Sequence, residues 1–167
     1  LAGLMCGLLA IPTPEIMGIG YDTITSILNS DPDALLLISI VSLKLIATAC
    51  AIGLGLPGGL IGPTLVIGAA AGGLTGVAIQ SLVGSDMSDI GFYAIIGMVT
   101  MMGATLQAPL AALMALLELT ANPSIILPGM LAVITANLTC TDLFKQESIY
   151  VMLMRNRGLD PLHDPCV

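Results

Sequence analysis

Gly53-Leu54-Gly55-Leu56-Pro57-Gly58-Gly59-Leu60-Ile61-Gly62-Pro63 is the stretch that decides how this chain reads. It is glycine-rich, lacks polar side chains, and opens an apolar segment that continues to Val83. A glycine-rich turn ahead of a helix aims backbone N–H groups at whatever lies in front of it. The helix N-terminus adds a partial positive charge there. In water such turns often hold phosphate, but no Lys-Ser/Thr pair follows as a P-loop requires. The helix behind this turn reads as membrane-embedded. A backbone anion site within a membrane, free of strong charges, suits a halide-sized ion.

Composition points the same way. Of 167 residues, 56% are hydrophobic and 9% charged, against about 25% charged in a soluble domain. Mean hydropathy is +1.03. The basic side chains are Lys44, Lys145, Arg155 and Arg157, and the formal charge is −7. That balance argues against nucleic acid or an anionic membrane surface as partner, since both call for a basic face. Cys6, Cys50, Cys140 and Cys166 show no CxxC spacing, so neither a metal site nor a disulfide framework is expected. The lone His163 lies in a polar tail, and no catalytic residue or cofactor is expected. No secretory signal is visible. The chain starts Leu1-Ala2-Gly3, ends Asp164-Pro165-Cys166-Val167, and reads as cut at both ends from a longer polypeptide.

The fold class is all-α, with several broken helices. Residues 1–11 are apolar and stop at Pro12 and Pro14. Tyr21 to Leu28 predicts a short amphipathic helix, and Asp33 can cap the next one. Residues 34–53, interrupted only by Lys44, and residues 60–83 are long enough to cross a bilayer, which takes about 20 apolar residues. Lys44 is expected to snorkel or pair with an acid. Gly68-x-x-x-Gly72-x-x-x-Gly76 is a pattern that lets helix backbones approach closely. After a polar turn at 84–90 come helices at 91–106 and 109–120, broken apart at Gln107-Ala108-Pro109. A last apolar run covers 124–140, and 148–156 reads as a short closing helix. Broken helices at membrane depth are tolerated where freed backbone lines a cavity or is buried in protein, as in transporters.

Pro57-Gly58-Gly59-Leu60-Ile61-Gly62-Pro63, followed by Leu65-Val66-Ile67-Gly68-Ala69, resembles the CLC chloride channels and chloride/proton antiporters. Their Gly-x-Phe-x-Pro motif is matched by Gly59-Leu60-Ile61-Gly62-Pro63. Gln107-Ala108-Pro109-Leu110 and Leu117-Glu118-Leu119-Thr120 match the later Arg/Gln-Ala-Pro-Leu and Leu-Glu-Met/Leu-Thr patterns. Ser148-Ile149-Tyr150 falls where the family places its anion-coordinating tyrosine, and Pro14-Glu15 and Gly18-x-Gly20-Tyr21 have counterparts as well. The ordered set covers essentially the whole chain.

The resemblance implies that residues 1–167 are the C-terminal half of a CLC-type inverted-repeat transport domain, with 157–167 a polar cytoplasmic exit. It implies chloride as substrate, held by the N–H groups of Leu60 and Ile61 and the hydroxyl of Tyr150. Gly58, Gly59, Gly62 and Pro63 would shape the helix N-terminus. Protons, the lipid bilayer, the first half of the same domain and a second copy in a homodimer are the implied partners. The implied place is a plasma or inner membrane, with the C-terminal end cytoplasmic. Residues 109–138 are implied to lie partly at the subunit interface, with Leu110, Leu113, Leu117, Ile125 and Ile126 as candidates. Ile61 stands where the motif usually has Phe, which keeps the main-chain donor but not the aromatic beside the path. The family's central serine and gating-glutamate motifs do not occur in this sequence.

Bland readings compete at each position. Leu60 and Ile61 also suit a helix start packed in a tight corner, and Tyr150 an interfacial anchor beside basic residues. Glu118, near a helix end, reads as structural rather than as a proton relay. For the whole chain the alternatives are a helix-packing subunit without transport, or a membrane protein binding phosphate through the glycine-rich loop.

Overall fold

The computed structural model describes residues 20–29, 34–54, 59–83 and 89–156. Expectations for residues 1–19, Asp33, Gly58, the turn at 84–88 and the tail from Arg157, with His163 and Cys166, lie outside these. Among the described residues the regular structure is helical and no strand occurs.

Helix α1, Tyr21–Asn29, is the expected amphipathic helix. Thr23, Ile24 and Ile27 are buried while Asp22, Thr25 and Ser26 are exposed. Gly20 precedes it with φ +82°, a conformation that favours glycine, and its carbonyl accepts from the Ile24 N–H at 3.0 Å. Helix α2, Ala34–Gly53, turns the stripe Leu37, Ile40, Lys44 and Ala47 inward. Lys44 is only 4% exposed, so it sits inside the fold instead of snorkelling, and it has an interaction there. Helix α3, Ile61–Val83, follows the glycine-rich stretch.

Helix α4, Ile90–Leu106, ends at Gln107, whose φ of 53° and ψ of 38° are left-handed. Helix α5, Pro109–Thr120, begins on its proline, where a missing N–H costs nothing, and ends at left-handed Ala121. The expected 124–140 run is more segmented than its composition suggests. A 3₁₀ turn at Pro123–Ile125 leads into α6, Ile126–Leu138, and a π-helical turn at Thr139–Leu143 follows. The Asn122 side chain accepts from the Ser124 N–H at 3.0 Å and fixes that entry. Helix α7, Ile149–Asn156, closes the described chain.

Among the described residues, three helical stretches have the length and apolarity of a membrane span: Ala34–Gly53, Ile61–Leu82 and Pro123–Leu143. Helices α4 and α5 are apolar but shorter. At 1.5 Å per residue they reach about 26 and about 18 Å, less than a hydrocarbon core of roughly 30 Å.

Helix α4 is the hub, touching α1, α3, α5, α6 and α7. One core joins Ile24, Ile27, Leu37, Ile40, Val66, Ala69, Ala70, Ala94 and Met98 of α1 to α4. A second joins Val99 on the other side of α4 to Ala112, Leu116 and Val133 of α5 and α6. The tightest packing is α3 on α4, backbone against backbone. A Cβ on Gly97 would stand 2.5 Å from the Gly68 carbonyl oxygen and 2.7 Å from Gly72 Cα. A Cβ on Gly72 would overlap the Tyr93 carbonyl oxygen. The glycine spacing read from the sequence thus works as expected, with Gly97 as its counterpart on α4.

Candidate functional site

The first turn of α3 has N–H donors that the helix itself does not use. Leu60 is its N-cap: the Leu60 carbonyl accepts from the Thr64 N–H at 3.2 Å. Leucine has no side-chain acceptor, so the usual capping bond is not supplied by this residue. The N–H groups of Ile61 and Gly62 have no partner within the helix by position, and Pro63 carries no N–H at all. The Thr64 hydroxyl, which might have competed, donates to the Ile61 carbonyl at 2.8 Å. Leu60 is buried at 9% exposure, whereas Ile61 is 44% exposed. Gly59 faces open space, since a Cβ there would meet nothing within 4 Å.

Tyr150 is the second residue of α7 and is 48% exposed. Among the described residues its hydroxyl makes no hydrogen bond to protein. Ser148 is the α7 N-cap, its carbonyl accepting from the Met152 N–H at 3.1 Å. A salt bridge of 2.9 Å from Arg155 to Glu147 folds the approach segment back along α7. Both partners are about half exposed, so it contributes little to stability.

Helix α4 relates these two parts. Gly68 lies against Met98 and Met101, Gly72 against Tyr93 and Gly97, and Gly76 against Ile90 and Tyr93. Advancing along α3 means retreating along α4, so the pair is antiparallel. The N-terminus of α3 and the C-terminus of α4 therefore lie at one end of the pair. The segment carrying Tyr150 is attached at that same end. Gln107 Nε2 donates to the Gln146 carbonyl at 2.6 Å, and Ser148 Oγ donates to the Leu106 carbonyl at 3.1 Å. Among the described residues no hydrogen bond joins Leu60 or Ile61 directly to Tyr150. What they share is the end of α4.

Those two ties escaped the sequence reading. Gln107 stood there only as a helix break and motif match, and Ser148 only as a neighbour of Tyr150. They link residues 39 and 42 apart in the chain, a distance at which one sequence offers no pairing signal. Glu118 is exposed in the last turn of α5, consistent with a place at a helix end. Elsewhere, an apolar groove of about 410 Å³ between α3, α4 and α6 is lined by small residues including Gly68, Ala71, Ala104, Ala132 and Ala136.

Residues 1–141 match the family described as voltage gated chloride channel. The chain belongs to that family. A ClcB-like chloride channel protein of Ralstonia nicotianae is 36% identical over 143 residues, covering 83% of this chain and 32% of the relative. The voltage-gated ClC-type chloride channel ClcB of Escherichia coli O81 is 33% identical over 150 residues, covering 90% of this chain and 36% of the relative. A crystal structure of a slow cyanobacterial Cl−/H+ antiporter superposes with a TM-score of 0.73 at 26% identity, over 81% of this chain and 32% of that one. This chain spans about a third of the length of the relatives it matches.

Proposed function

We propose that this chain forms the second half of a chloride pathway, in which the N–H groups of Leu60 and Ile61 and the hydroxyl of Tyr150 hold a dehydrated chloride. The observation that carries the reading is the shared end of α4. The start of α3 and the tied-down start of α7 lie at the same end of the bundle. Oriented main-chain donors and the positive end of the helix dipole attract an anion. Tyrosine adds a hydroxyl donor that carries no formal charge. No lysine or arginine is needed, and an ion held by neutral donors can leave again, as conduction requires. The names of the ClcB relatives and of the Cl−/H+ antiporter support chloride as the anion.

The same reading makes the full-length protein a multi-pass homodimer in a plasma or inner membrane, with one path per subunit. It puts the end that carries Lys145 and Arg155 on the cytoplasmic side, where positive charge near spans accumulates.

Halide calorimetry on the full-length protein tests the site. Tyr150→Phe removes one donor and keeps the ring. A neutral hydrogen bond contributes roughly 0.5–1.5 kcal/mol, so chloride affinity should fall by a few-fold to about tenfold. Unchanged affinity in Tyr150→Phe would remove Tyr150 from the site.

A further inference from the structure

The end of α4 does more than lie near the site. Leu106 and Gln107 are consecutive, and each grips the segment that leads to Tyr150. The Gln107 amide donates to the Gln146 carbonyl at 2.6 Å, and the Leu106 carbonyl accepts from Ser148 Oγ at 3.1 Å. The gripped positions, Gln146 and Ser148, flank Glu147 and end two residues before Tyr150. Ser148 is also the N-cap of α7, its carbonyl accepting from the Met152 N–H, so the hydroxyl bond to Leu106 anchors the residue at which the helix carrying Tyr150 begins. Two bonds from adjacent anchors set both the position and the rotation of that first turn.

The backbone on each side is shaped for this grip. Gln107 holds φ 53° and Lys145 holds φ 49°, left-handed values uncommon for residues other than glycine. Left-handed Gln107 ends α4 and opens the break before Pro109. Left-handed Lys145 stands immediately before Gln146, whose N–H donates back to the Cys140 carbonyl at 3.0 Å. That bond spans six residues and continues the wide π-helical turn at Thr139–Leu143. The carbonyl of Gln146 points to Gln107 while its N–H points to the end of α6. The segment is held from both sides.

We propose that Gln107 and Ser148 are positioning residues for chloride: they hold Tyr150 in register with the α3 N-terminus and touch no ion themselves. This rests on Tyr150 being an anion ligand. The ties need a donor at residue 107 and a hydroxyl at residue 148. Gln107→Glu keeps length and shape but replaces the donor with an acceptor facing a carbonyl. Gln107→Arg restores N–H donors at similar reach. Ser148→Ala removes the second tie, and Ser148→Thr keeps it.

The test is a double-mutant cycle on the full-length protein, read by chloride calorimetry, with Tyr150→Phe as the second arm. Gln107→Glu should weaken chloride by a few-fold when Tyr150 is present and add nothing in Tyr150→Phe, which has no hydroxyl to place. Gln107→Arg should retain the parent affinity. A purely structural role predicts equal losses in both backgrounds, and that result would overturn the proposal. Full affinity in Gln107→Glu, with the expected loss in Tyr150→Phe, would overturn the positioning role and leave the chloride site standing. Full affinity in Tyr150→Phe would defeat the site and the positioning role together. Should Gln107→Glu not fold, Ser148→Ala gives the same cycle, with Ser148→Thr as its rescue.

Discussion

Ile61 separates what a main chain does from what a side chain does. As the first residue of α3 it offers an N–H with no partner inside the helix, while its side chain is 44% exposed. The family motif has Phe at this position, so the side chain differs where the donor does not. Proline at the first helical position removes the N–H and keeps the helix, because its fixed φ already suits that position. The residue before it must be extended, which suits an N-cap such as Leu60. Ile61→Pro in the full-length protein should therefore weaken chloride by a few-fold to about tenfold, the size of one lost hydrogen bond, with helical circular dichroism unchanged. Ile61→Phe, which keeps the donor, should bind chloride as the parent does. Full affinity in Ile61→Pro would exclude this main-chain donor from the site.

Helix α4 shows how the elements were legible and where legibility stopped. The breaks after α4 and α5 were readable because they are chemical: Pro109 has no N–H with which to continue α4, and Asn122-Pro123 caps and starts a new turn. The contact of α3 with α4 was readable on one side only. Gly68, Gly72 and Gly76 recur at a helical spacing, but Gly97 has no such repeat around it, and pairing two helices takes three dimensions. The 3₁₀ entry and π-helical exit around α6 were not readable, since the residues 124–140 form one apolar run in composition. Of the proposed site, Leu60, Ile61 and Tyr150 were singled out through motif order alone. Their common support was not, because it consists of two long-range bonds to backbone carbonyls. The α3–α4 contact yields a direct check. Gly72→Ala puts a methyl group against the Tyr93 carbonyl and 3.0 Å from Gly97 Cα, both backbone atoms that cannot swing aside. Such overpacking costs about 1–3 kcal/mol, so thermal unfolding in detergent should come at lower temperature. Gly53→Ala is the control: it has nothing within 4 Å of its new methyl and should be neutral or slightly stabilising. Equal stability of the two variants would contradict the close approach.

For the whole molecule, the question is what covers α5 and α6. Leu110 is 78% exposed, Leu127 73% and Leu131 68%, with Met114 and Ile134 beside them. Two residues suggested for this face by the sequence belong elsewhere: Leu113 and Ile125 pack inward on the core of Val99, Ala112, Leu116 and Val133. Lipid alone is a poor cover for this face. Helix α5 is about 18 Å long, so at least one of its ends falls short of a membrane surface, and backbone there needs protein around it. The proposed homodimer would meet that need with a second copy, and the remainder of the full-length protein is the alternative cover. Cysteine chemistry on the full-length protein in native membranes tests both the dimer and its orientation. Single cysteines at Leu127, Leu131 and Ile134 should give dimers with a short thiol cross-linker from at least one position, and a cysteine at buried Leu37 should give none. Monomers from all three outer positions would count against the dimer. An impermeant thiol reagent should reach Cys166 in inside-out vesicles and miss it in intact cells, because Lys145 and Arg155 favour a cytoplasmic end. Labelling of Cys166 from outside intact cells would reverse the proposed orientation.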